Sequence, residues 1–103
     1  MVINDSNYSE VLAQNKPMVL DFWATWCGPC RMVGPVIQDL ADQYEGQAII
    51  GKVNIEEDAD DLVAKFGIRN IPTIIYMKNG EIVDKVVGAA PKATLEEKLK
   101  AIL

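Results

Sequence analysis

The residues best suited to chemistry are two cysteines, three positions apart in the run Trp26-Cys27-Gly28-Pro29-Cys30. No histidine accompanies them. That removes Cys-His and Ser-His catalysis and leaves too few soft ligands for a four-coordinate zinc site within one chain. At the head of a helix the two sulfurs would face the same side, with Cα atoms roughly 5 to 6 Å apart, inside disulfide reach. A bridge closing four residues stabilises by only about 2 kcal/mol on the chain-entropy model, so a reversible dithiol/disulfide explains the spacing better than a staple. A metal shared between chains and a chance spacing in a core helix are the competing explanations.

Position assigns the roles. Cys27, at the helix start, meets unpaired N–H groups and the positive end of the helix dipole, which favour a thiolate and make it the nucleophile. Cys30 lies one turn further in, is expected to be more buried, and suits a resolving thiol. Pro29 presets its φ for the first turn. Gly28 and Pro29 place no charge between the sulfurs, whereas a histidine there would make the disulfide more oxidising, so a reductant is expected.

Asp21 interrupts the apolar run Met18 to Ala24. A carboxylate in a buried strand is costly unless paired or protonated. Its expected role is proton acceptor for Cys30, with Lys52 of the neighbouring strand as charge partner; the alternative is a solvent-facing Asp21 and a snorkelling Lys52. Trp26 adjoins Cys27 and is read as substrate surface, Trp23 as core filling. Ile71-Pro72-Thr73 puts a proline at a strand head, where a cis bond cannot be claimed from sequence. Five carboxylates between Glu56 and Asp61 read as a solvated helix start, with a weak cation site as the lesser alternative.

Around these residues the pattern alternates. A short strand at Met1 to Ile3 precedes a helix over Asn7 to Gln14 capped by Ser6. The unalternating run Met18 to Ala24 predicts a strand buried on both faces. A helix from Cys27 toward Gly46 follows, kinked at Pro35. Ala48 to Ile55 predicts the next strand, then a helix to Phe66 stopped by Gly67. Ile71 to Met77 and Ile82 to Val87 flank Asn79-Gly80, a hairpin signal, and Pro91 opens a helix with Leu95, Leu99 and Ile102 on one face. The order βαβαβ then ββα predicts an α/β fold: a central mixed sheet, parallel through its helical crossovers, with an antiparallel hairpin at one edge and helices on both faces.

At 103 residues, half of them apolar, the chain has room for one domain spanning 1–103. The net charge of -5 repels nucleic acid and anionic membrane. The start MVINDSNYSE lacks the features of a secretory signal, which sets cytoplasmic location as the expectation. Nothing in the sequence demands more than a monomer.

Taken together, Asp21-Phe22-Trp23-Ala24, Trp26-Cys27-Gly28-Pro29-Cys30, Pro35, Lys52-Val53-Asn54, Gly67-Ile68-Arg69, Ile71-Pro72-Thr73, Lys78-Asn79-Gly80 and Val87-Gly88 resemble the thioredoxin family along nearly the whole chain. The resemblance implies a thioredoxin fold and a general protein-disulfide reductant in which Cys27 attacks and Cys30 releases the product. It matches Asp21 and Lys52 to a buried proton-transfer pair and Pro72 to a cis proline facing the cysteines. Trp26, Ile71, Pro72, Thr73, Gly88 and Ala89 match a shallow groove for an extended substrate segment. It implies no bound cofactor or metal; NADPH and flavin would belong to a partner thioredoxin reductase. Thr25, Asn70 and Pro91 depart from the family's frequent residues, and the first two flank the groove. The rival functions are a disulfide isomerase or oxidase and a scaffold subunit that needs no thiols.

Overall fold

The computed structural model describes all residues from Met1 to Leu103. Its elements are α1 (Tyr8–Leu12), β1 (Met18–Trp23), α2 (Gly28–Gln43), β2 (Ile49–Asn54), α3 (Asp60–Phe66), β3 (Thr73–Lys78), β4 (Glu81–Val87) and α4 (Lys92–Lys100). The strands form one mixed sheet in the order β2-β1-β3-β4.

β1 is unalternating because both of its faces are covered. Val19 packs with α2 and α4 through Val33, Ile37, Leu40, Leu95 and Leu99. Leu20 and Phe22 pack on the opposite face with Val11 of α1 and Leu62 of α3. Helices therefore cover both faces, as expected. Asp21 shares the parity of Val19 and so points toward α2.

The predicted parallel crossovers hold only once. β2 is parallel to β1, through α2, while β3 is antiparallel to β1. The seven-residue α3 spans roughly 10 Å, about half of a strand of roughly 20 Å, so the helix by itself makes no full crossover. The connection instead joins β2 and β3 at the same end of the sheet, where Gly67 at φ 62° ends α3 and the cis Ile71-Pro72 bond turns the chain. That end is also where β1 delivers the cysteines.

Four local expectations change. The strand at Met1 to Ile3 reduces to a single parallel bridge, Val2 to Lys52. α1 starts after Asn7 rather than at it. Ser6 does not cap it, because its hydroxyl donates to Asp58; Asn4 and Asn7 instead accept each other's backbone N–H at 3.0 and 2.9 Å. α2 runs unbroken through Pro35 and is capped by Tyr44, with Gly46 in the left-handed region two residues later. β3 begins at Thr73 because the proline before it has no N–H for the ladder. The hairpin is as predicted, Asn79 and Gly80 both taking positive φ between β3 and β4.

Candidate active site

Cys27 is the N-cap of α2, with helical residues starting at Gly28. Its Sγ accepts the Cys30 N–H at 3.2 Å, satisfying one of the orphan donors of the first turn. The two cysteines are disulfide-bonded, with Cα atoms 5.3 Å apart. Cys30 is not the deeper of the two: Cys30 and Cys27 are equally buried, 5% and 4% exposed. Direction separates them instead. Cys30, and not Cys27, lines a recess of about 290 Å³ together with Asp21, Trp23, Gly34 and Lys52.

Asp21 is 1% exposed, and its Oδ1 has no hydrogen-bond partner. Burial pushes its carboxyl up to about 6, while the charge of Lys52 acts in the lowering direction. Lys52 stands beside Asp21 in the parallel register. It forms no direct ion pair with it, the one such contact in the molecule being Lys98 to Asp84. The ammonium reaches over Gly34 instead, where a Cβ would lie 3.5 Å from Nζ.

Ile71 packs against the two cysteines beside Trp23 and Ala24. Neither its N–H nor its C=O takes part in a hydrogen bond. Pro72 follows in cis, and its carbonyl accepts the Gly88 N–H at 2.8 Å, which brings the end of β4 against the same loop. Thr73 is buried, its hydroxyl donating to the Asn70 carbonyl at 2.5 Å. Ala89 is exposed just beyond, and Trp26 is 64% exposed beside Cys27. Trp23 is part-buried, both packing on the cysteines and lining the recess.

Two residues of this site were not singled out from the sequence. Arg31 donates to the Thr25 carbonyl at 3.1 Å, tying the loop before Cys27 to α2. Gly34 lies beneath the Lys52 ammonium, close enough that a Cβ would touch it; its spacing of four from Cys30 on a helix was the available signal. No group of three or more His, Cys, Asp or Glu is placed to hold a metal ion. No helix is long and apolar enough to cross a membrane.

A disulfide closed across the first turn of a helix, at the end of a central strand and beside an unpaired backbone segment, defines a thiol-disulfide oxidoreductase. The thioredoxin family model matches residues 1–101. The chain is 49% identical over 96 residues to a thioredoxin of Chlorobaculum thiosulfatiphilum, covering 92% of this chain and 88% of the relative. Against a chloroplastic M-type thioredoxin of Pisum sativum it is 49% identical over 100 residues, covering 96% and 58%. Against a thioredoxin of Synechocystis sp. it is 45% identical over 102 residues, covering 98% and 94%. The chain belongs to the thioredoxin family, whose members are protein-disulfide reductases generally recharged by a thioredoxin reductase.

Proposed function

We propose that Cys27 is the attacking sulfur and Cys30 the resolving one. The Cys27 thiolate attacks one sulfur of a substrate disulfide, forming a mixed disulfide and releasing a thiolate that takes up a proton. Cys30 loses its proton, attacks the Cys27 sulfur and expels the second substrate thiolate. Two electrons pass to the substrate, and the Cys27–Cys30 disulfide is left behind.

The observation that carries this assignment is the shared recess of Asp21 and Cys30. A carboxylate titrating at about 6 with an unpartnered Oδ1 is ionised at neutral pH and has an oxygen free to accept the Cys30 proton. Lys52 holds the ionised form within reach of neutral pH by lowering what burial raises. Gly28 and Pro29 supply the turn and leave the thiolate without an added charge, which favours electron donation over disulfide formation.

The substrate segment lies across Trp26, Ile71, Pro72, Thr73, Gly88 and Ala89, pairing with the free N–H and C=O of Ile71. The disulfide is recharged by a thioredoxin reductase that carries flavin and draws on NADPH, this chain holding no cofactor of its own. The chain works as a monomer and as one domain over 1–103. It works in a reducing compartment: the cytoplasm, or a plastid as the M-type relatives' names suggest. Its charge of -5 argues against nucleic acid and anionic membrane as partners.

Reduction of insulin disulfides by the wild-type protein, and loss of that activity when both cysteines become Ser, are the expected results. Retained biological activity of the double-Ser protein would sink the redox role in favour of a scaffold. A reduction potential in the oxidising range would favour the isomerase or oxidase. With Asp21→Asn, closure by Cys30 slows and its pH profile loses the step near pH 6; an unchanged profile removes Asp21 from the mechanism.

A further inference from the structure

A second recess, of about 130 Å³, opens between the end of α3 and the outer strand β4. Phe66 and Ile68 form its apolar side; Thr73, Arg69, Lys85 and Val87 complete it. The strand register explains why these residues meet. Thr73 faces Val87 and Ile75 faces Lys85, and Ile75 belongs to the core on the α3 side, so Lys85 and Val87 project on that side of β4. Asp84 has the opposite parity and is engaged by Lys98 of α4. The recess therefore holds two cations and no carboxylate, in a chain with 15 acidic and 10 basic residues. Neither Arg69 nor Lys85 forms an ion pair.

The recess adjoins the proposed substrate groove, sharing Thr73 with it. Val87 precedes Gly88, whose N–H is bound by Pro72, and the Asn70–Thr73 hydrogen bond spans the Ile71-Pro72 pair. An extended segment rises about 3.3 Å per residue, so a side chain two or three residues beyond one paired with Ile71 stands roughly 7–10 Å further along the segment. We propose that Arg69 and Lys85 receive an acidic side chain, Asp or Glu, of the disulfide-bearing substrate segment, making these two residues determinants of substrate choice. The proposal rests on the groove assignment at Ile71. Both cations are exposed, so the discrimination is modest and salt-sensitive.

The test uses pre-reduced protein and cyclic disulfide peptides that differ only in one residue, Glu, Gln or Lys, two or three positions from the attacked cysteine. Each turnover converts one peptide disulfide to two thiols and the protein dithiol to its disulfide. At low salt the rate constants follow Glu over Gln over Lys, with Glu exceeding Lys by roughly three- to tenfold, and high salt compresses the series. R69E/K85E reverses the order, a result that loss of structure cannot produce. The same Glu-to-Lys ratio in wild type and R69E/K85E overturns the assignment. Backbone N-methylation of the peptide slows all three alike if the segment pairs with Ile71. An unchanged rate overturns the pairing and the recess with it, whereas slowed peptides that ignore charge overturn the recess alone.

Discussion

Asp21 is the residue at which folding and function pull apart. Its carboxyl rises to about 6 in the folded protein from an ordinary value of 3.8, so the folded state binds the proton more tightly than the unfolded chain. Stability is consequently lost as pH rises from about 4 through about 6, and stays lost above that. Replacing Asp21 by the near-isosteric Asn should raise unfolding free energy near pH 8 by about 3 kcal/mol and leave it almost unchanged near pH 3; denaturant titrations at the two pH values measure the difference. The opposing influence, the Lys52 charge, lies over Gly34. Gly34→Val should displace the Lys52 ammonium and move the Asp21 titration upward, read from its carboxyl carbon by NMR; an unmoved titration would show that Lys52 acts from elsewhere. Asp21 and Lys52 were legible in the sequence because a charge within an apolar run demands a reason. Arg31 was not, because its partner is the Thr25 carbonyl, and a backbone acceptor leaves no mark in residue types.

Among the elements, existence was readable, while direction and capping were not. β1 and α2 announce themselves by apolar runs and spacing, and the Asn79-Gly80 hairpin by turn chemistry. The direction of β3 leaves no mark in the apolar pattern, which reads the same for a parallel and an antiparallel strand buried on both faces. Capping of α3 was equally hidden, since Asp5 accepts the N–H groups of Asp61 and Leu62, both at 3.0 Å, from 56 and 57 residues away. The N-terminal segment illustrates how a weak element still positions the site. Ile3 N–H donates to the Lys52 carbonyl and Lys52 N–H to the Met1 carbonyl, so the backbone of Lys52 is held on both sides. Gly51 permits this approach: a Cβ there would fall 2.3 Å from Ile3 Cδ1. Gly51→Ala should therefore destabilise by about 1–3 kcal/mol, and Ile3→Ala by about 2–5 kcal/mol. The double variant should lose less than the sum, because the smaller side chain removes the clash. Thermal unfolding of all three variants measures this, and full additivity would mean that Ile3 is not what crowds position 51.

For the whole molecule, closing a four-residue loop contributes about 2 kcal/mol, so reduction of the disulfide should lower the melting temperature by roughly 10 °C in a domain of this size; calorimetry of the two redox forms checks it. The sheet order has a further consequence. β1 is hydrogen-bonded on both sides, to β2 and β3, and carries Asp21 with the cysteine loop at its end. β4 has a neighbour on one side only and exposes Ile82, Val83 and Val87. Amide hydrogen exchange should thus be graded, with the outward amides of β4 exchanging through local fraying and those of β1 only through global opening. The loop that carries the cysteines leaves the last strand to come apart, while Lys85 and Val87 stand on the first.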